Sequence, residues 1–232
     1  MTSDQMLLEP VSEKPARLSF APRWQWRDML REGVVYLMII VTAPLWLAAK
    51  LEAKLSGGDD LFATCSQWLS LFPGKLGIFL RRAYYRCTLR RCESNSAIGF
   101  GTTLAHRETK IGQRVYIGIR CTLGCARIDD DVTIGSNVDI LSGRRQHGFD
   151  DLRLPIQEQP RQFRQVRIGR NTWIGNSTVV MADIGDDCII GAGSVVVTPI
   201  PDRSVAVGNP CMVKRQRPVK LTDGENGDSG RP

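Results

Sequence analysis

Aliphatic residues recur at every sixth position through the middle of this chain. Ile111, Ile117 and Leu123 keep that beat, and each is followed by glycine (Gly112, Gly118, Gly124). The beat returns at Ile128, Ile134 and Ile140, at Ile168, Ile174 and Val180, and at Ile184, Ile190 and Val196. An amphipathic helix needs a period of about 3.6 and a half-buried strand a period of about 2. A six-residue period fits a solenoid whose walls are short strands. Its corners need the permissive backbone that glycine, asparagine and aspartate supply. The side chain at each beat points inward, and stacked coils bury one continuous ladder.

These triplets predict four three-sided coils, with Ile98 and Leu104 as part of a coil before them. The fold class expected is therefore mainly β, a parallel β-helix of about four to five coils between Ala97 and Val207. The beat slips in three places. Leu123 to Ile128 and Val180 to Ile184 are short steps, which demand tightened corners. Between Ile140 and Ile168 a long segment, 141–167, leaves the coil. Excursions of that length inside a regular repeat are usually functional.

A different pattern precedes the repeat. GVVYLMIIVTAPLWLAA, Gly33 to Ala49, carries no charge, and a second apolar stretch from Leu61 to Leu80 is interrupted by Pro73, Gly74, Lys75 and Gly77. Trp24, Trp26, Trp46 and Trp68 flank or punctuate these runs, as membrane-interface side chains do. Arg23, Arg27 and Arg31 precede the first run, and Arg81, Arg82, Arg86, Arg90 and Arg91 follow the second. By the positive-inside rule both ends face the cytoplasm. The favoured reading is an α-helical hairpin that dips into the membrane from its cytoplasmic face. Two full spans, or two buried helices packed on the soluble domain, are the alternatives. The layout expected is a flexible N-terminus (1–22), a membrane-associated helical hairpin (23–93), a β-helix domain (94–218) and a disordered tail (219–232).

The chain has 232 residues, 42% of them hydrophobic, enough for one core plus an appendage. Its net charge is +7. With no nucleic-acid motif, and with arginines beside apolar runs, an anionic membrane surface is the better partner than nucleic acid. Seven cysteines, with no C-x-x-C pair, argue for reduced thiols in the cytosol. Two histidines, His106 and His147, are too few for a histidine-rich metal site within one chain, so no metal is expected.

The stretch NTWIGNSTVVMADIGDDCIIGAGSVVVTPIPDRSVAVGNPCMVKR, residues 171–215, resembles the hexapeptide-repeat acyltransferases in its N-x-W-I-G, I-G-A-G-S-V-V and V-x-G-N-P elements. The resemblance implies a left-handed coil, which chain chirality alone does not predict. It also implies transfer of an acetyl group from acetyl-CoA, as co-substrate, to a saccharide hydroxyl, and a homotrimer with active sites between subunits. LFPGKLGIFLRRAYYRCTLRRC and FGTTLAH look like the membrane-associated branch that modifies exopolysaccharides and lipid-linked sugars. N-acetylation of an amino sugar, a longer acyl donor and a non-catalytic β-helix scaffold stay open as alternatives.

The family's catalytic histidine sits where the chain leaves the coil, a position that His147 matches. A neutral imidazole can take a proton from a hydroxyl as it attacks a thioester, then return it to the departing thiolate. Asp150 or Asp151 could orient that imidazole or bind the acceptor; spacing does not choose. Arg144, among the loop arginines, and His106 are further acceptor-side candidates. The coenzyme positions of the family match Trp173, Asn176, Ala192, Val197 and Thr198, with Lys214 and Arg215 toward the adenosine phosphates. Met212 stands where the family often has arginine, so that phosphate contacts are either fewer or rest on Lys214, Arg215 and Arg217.

Overall fold

The computed structural model describes residues 25–93 and 95–218, with side chains from residue 31 onward. The two ends expected to be loose, 1–22 and 219–232, lie outside the described residues. So do Arg23, Trp24 and the side chains of Trp26 and Arg27.

Four helices lead into the solenoid: α1 (Gln25–Val41), α2 (Ala43–Leu55), α3 (Asp60–Ser70) and α4 (Gly74–Thr88). Pro44, in the first turn of α2, cannot continue an incoming helix, and α1 and α2 meet at a 63° bend around Thr42. No single described helix is long and apolar enough to cross a membrane; only this bent pair, taken together, has the length and composition. The second apolar stretch is broken at Pro73, as its sequence predicts, into α3 and α4. These two cap the first coil. Phe62 stacks on Tyr84 there and Tyr85 meets Tyr84 edge-on, and Ser66 Oγ accepts the amide of Leu104 at 2.9 Å while sharing a 2.7 Å hydrogen bond with the Tyr85 hydroxyl.

Two arginines read above as part of a cytoplasmic cluster are interior. Arg81 is fully buried. It donates to the carbonyls of Ile98 (3.0 Å), Leu69 (3.0 Å) and Phe72 (2.8 Å). Arg82 is buried beside it and donates to the Ser96 carbonyl at 2.6 Å. A guanidinium has five donors in a planar fork, so it can gather the loose carbonyls at the end of α3 and tie them to the first wall.

The solenoid has three walls. Face A stacks Arg91–Cys92, Lys110–Ile111, Ala126–Ile128 and Val166–Ile168, and continues through single bridges at Ile184 and Ile200. Face B stacks seven strands and ends in the antiparallel pair Ser204–Val207 and Met212–Gln216; face C stacks five, from Thr103–Leu104 to Val195–Val196. Five coils are complete and a sixth is begun by Ile200 and Ala206, rather more than expected. The first coil was only half recognised because its face A beat is Cys92, not an aliphatic residue. Every predicted beat from Ile98 to Val196 is buried.

A second ladder runs two residues before the beats: Ser96, Thr102, Thr109, Val115, Cys121, Ala126, Val132, Val138 and their successors up to Ser194 are buried as well. Its hydroxyls and thiols bond corner carbonyls, as Thr102 does to Gly118 (2.7 Å) and Cys121 to Gly135 (3.1 Å). The corners turn one position further back. Arg114, Arg120, Asp131, Asn137, Asn171, Ser177, Asp187 and Arg203 all have φ between 53° and 61°, three residues before a beat. The glycine that follows a beat has a different use from the turning role expected. A Cβ at Gly118 would lie 2.5 Å from the Gly135 carbonyl oxygen, so glycine lets coils approach rather than turn.

The edges between A and B and between B and C keep six residues from beat to beat throughout. Every irregular step falls on the third edge, from C to A: Leu104 to Ile111, Leu123 to Ile128, Ile140 to Ile168, Val180 to Ile184 and Val196 to Ile200. The excursion 141–167 leaves and re-enters on that edge.

Candidate active site

Both histidines lie on the irregular edge. The excursion is pinned along its length: Arg164 N donates to the Ser142 carbonyl (2.9 Å), Gly148 N to the Pro160 carbonyl (2.9 Å), and the Gln159 side-chain amide to the Asp151 and Leu154 carbonyls (2.9 and 3.1 Å). Ser142 Oγ also accepts the Cys125 amide at 2.8 Å, which fastens the base of the loop to the second coil. Gln159 is buried, although glutamine is a surface residue by habit.

His147 stands exposed at the turn of this strap, without a hydrogen-bond partner among the described residues. It lines a cavity of about 240 Å³ with Phe149, Asp150, Asp151, Gln159 and Gln162. A second cavity of about 480 Å³ shares Arg145, Phe149 and Gln162 with the first and extends over Arg144, Arg164, Ala182 and Val197. Together they form one trough along the edge. A free imidazole beside an open trough is available to an incoming hydroxyl.

No hydrogen bond joins Asp151 to the imidazole among the described residues. Its carboxylate is held by Arg153 through two 3.0 Å bonds, which pull its pKa below the usual carboxylate range. Asp150 is exposed beside His147 and lines the same cavity. Arg164 pairs with Asp183 across the neck of the loop.

His106 sits at the other end of the same edge, on the first coil. Its Nδ1 faces Asp59 Oδ2 at 3.4 Å, and Arg107 binds Asp59 and the Gly58 carbonyl (2.8 Å). The turn between α2 and α3 is thereby tied to the coil. Phe163, from the returning leg of the loop, packs on the His106 ring with centroids 5.2 Å apart.

The expected coenzyme positions divide into two groups. Val197 lines the trough with the loop, and Thr198 follows it on the same edge. Trp173 projects half-exposed from face B, Asn176 and Ala192 occupy the corner between B and C, and Lys214 and Arg215 lie on the last strand. One chain does not bring this second group to His147. Sequence reasoning missed Phe149, Phe163 and Asp59; aromatic side chains in an otherwise polar loop were the available signal for the first two.

Three walls of stacked short strands with a hexapeptide beat define the class: a parallel β-helix protein. The sequence model of the family described as bacterial transferase hexapeptide (six repeats) matches residues 165–198. A probable acetyltransferase of Mycobacterium tuberculosis is 35% identical over 134 residues, 47% of this chain and 45% of that protein. A galactoside O-acetyltransferase of Lactococcus lactis is 31% identical over 140 residues, 57% of this chain and 63% of that one. The chain thus spans about half the length of the curated relatives it matches. The solved structure of a maltose O-acetyltransferase from Clostridium difficile superimposes with a TM-score of 0.61 at 25% identity, over 68% of this chain and 86% of that one. The fold is the left-handed parallel β-helix, and in sequence and fold the chain is similar to hexapeptide-repeat acetyltransferases.

Proposed function

We propose that the chain is an acetyl-CoA-dependent O-acetyltransferase acting on a saccharide hydroxyl, with His147 as general base. One observation carries this reading. Among the described residues, the one edge where the repeat varies in length holds a pinned loop, a trough and an unpartnered imidazole. His147 takes the proton of the acceptor hydroxyl as its oxygen attacks the thioester carbonyl. The tetrahedral adduct then collapses, the carbon–sulfur bond breaks, and the imidazolium returns the proton to the coenzyme thiolate. The ester and free coenzyme A leave, and no acyl-enzyme is formed.

The split of the coenzyme positions supports a homotrimer. Tyr116, Trp173 and Ile189 on face B, and Val179 and Val195 on face C, point outward and are apolar. A prism that covers those two faces with copies of itself brings the Trp173–Asn176–Ala192 side of one subunit against the His147 edge of another. Coenzyme A then lies between them, its phosphates toward Lys214 and Arg215.

The helices support docking on the cytoplasmic face of the plasma membrane. Leu47, Leu51 and Leu55 form an exposed stripe at helical spacing on α2, and Leu37, Ile40 and Val41 are exposed on α1. Surfaces of this kind are uncommon on proteins surrounded by water. A bent pair lying in the interface fits them.

The test is His147→Ala, assayed with acetyl-CoA and a panel of saccharides. The expected result is a fall in transfer of about 10²–10⁴-fold, with acetyl-CoA binding retained. Full transfer by the variant rejects the base and the site with it.

A further inference from the structure

We infer that face A binds the acidic part of the acceptor, so that the substrate class is a carboxylate-bearing oligosaccharide rather than a neutral sugar. This deepens the acetyltransferase reading above and rests on it. The outward positions of face A are Arg91, Lys110, Arg127 and Arg167, each in register with the next. Neighbouring strands lie about 4.8 Å apart, and like charges placed directly opposite one another destabilise a sheet. Among the described residues the other walls carry no such row: face B reads Ala97, Tyr116, Thr133, Trp173, Ile189 and Val205, with one cation in register, Arg215 on its last strand, and face C reads Thr103, Thr122, Asp139, Val179 and Val195.

The row borders a cleft of about 650 Å³, to which Arg90 and Arg170 add two more cations against Asp129, Asp130 and Asp186. Those carboxylates are already engaged. Asp129 bonds Arg127 and Arg167, both at 2.9 Å. Asp186 Oδ1 accepts from Arg167 (2.6 Å) and from the Arg170 amide (3.1 Å), and Asp130 Oδ1 from the Gln113 amide (2.8 Å). At the rim Arg91 turns to Glu93 (2.8 Å), and Arg90 faces Glu108 at 4.0 Å. Lys110 and the Arg170 side chain have no described carboxylate within ion-pair distance. Six cations face five carboxylates once Glu93 and Glu108 at the rim are counted, and the excess lies inside the cleft with the unpaired Lys110 and Arg170.

Position and spacing name the ligand. Arg164 lines the trough and Arg167 lines the cleft, three residues apart in one extended leg, at most about 10 Å. Gln165 between them donates to the Glu108 carbonyl at 2.9 Å, fixing that leg along the border. A ligand that reaches from His147 to face A is therefore extended, an oligosaccharide. Its charges meet cations spread singly along a row. One carboxylate per sugar unit suits that spread, and guanidinium forks suit carboxylates; a concentrated phosphate calls for cations gathered at one point.

The test is calorimetry on the full-length protein with a short oligogalacturonate, an equally long malto-oligosaccharide and inorganic pyrophosphate. Oligogalacturonate is expected to bind most tightly and to weaken with added salt. Lys110→Gln with Arg170→Gln breaks no ion pair, so the fold stays intact, and binding is expected to weaken about tenfold. Acetyl-CoA affinity stays unchanged. Equal affinity for acidic and neutral oligosaccharides, tighter binding of pyrophosphate, or an indifferent double variant overturns the inference. Acidic oligosaccharide binding without any acetyl transfer sinks the acetyltransferase reading and leaves the site standing.

Discussion

Phe163 rests on His106 with ring centroids 5.2 Å apart, so the returning leg of the excursion touches the first coil. The contact joins the loop that carries His147 to the junction of coil and helices at Asp59. Phe163→Ala should loosen the loop while leaving the wall intact. Acetyl transfer is expected to fall by about 3–10-fold through poorer placement of the imidazole, with amide exchange faster across 144–164. Unchanged exchange and unchanged kcat would show that the contact does not hold the loop.

Arg81 is a cation inside the protein with carbonyls, not carboxylates, around it. Desolvation lowers its pKa from the ordinary arginine value, although it stays charged at any physiological pH. Arg81→Ala leaves three carbonyls short of a donor and opens a cavity, at a cost of about 3–5 kcal/mol. Arg81→Met fills the volume and removes a buried charge, so it should recover part of that loss. Urea unfolding of both variants checks the order, and equal losses would contradict it.

Burial pushes the Cys92 thiol up to about 11 from an ordinary value of 9.0. Burial raises the other six thiols too. The folded state therefore favours the protonated thiol. That contribution to stability is fully present below the unfolded pKa near 9 and is lost as pH rises through the folded value near 11. Melting temperature should decline across that interval, and Cys92→Val should decline less steeply. A flat profile between pH 9 and 11 would refute the account.

Leu51→Glu with Leu55→Glu places two charges on the exposed stripe of α2 without touching the core. The pair should abolish co-sedimentation with vesicles of anionic phospholipid and leave the circular dichroism spectrum unchanged. Persisting co-sedimentation would remove the helices from the membrane.

The solenoid was legible because its beat has a single cause, an inward side chain at each wall, and nothing along the chain competes with it. Cys92, Ile200 and Ala206 escaped because a thiol, a tightened corner and a methyl group blur the aliphatic pattern. The corners were harder to read. Arginine at φ near 54° in Arg114 and Arg120 contradicts local preference, and the surrounding coils impose it. The charge pattern after the second apolar stretch misled for Arg81 and Arg82, since a sequence does not show that a cation has carbonyls to meet. In the candidate site, the exit of the loop at His147 was readable from the broken beat. The contacts of Phe163 and Asp59 with His106 were not, because they join segments about 50 residues apart.

Two corners of the prism never change their length, and the third absorbs every insertion and deletion. A chain built this way can remodel its ligand trough without shifting a single rung. Loop residues between Ile140 and Ile168 can be exchanged, lengthened or trimmed while the buried column above and below keeps its register. The shape of the trough is thus mechanically uncoupled from folding, and grafting a foreign excursion at this edge is the natural way to redirect the proposed transfer.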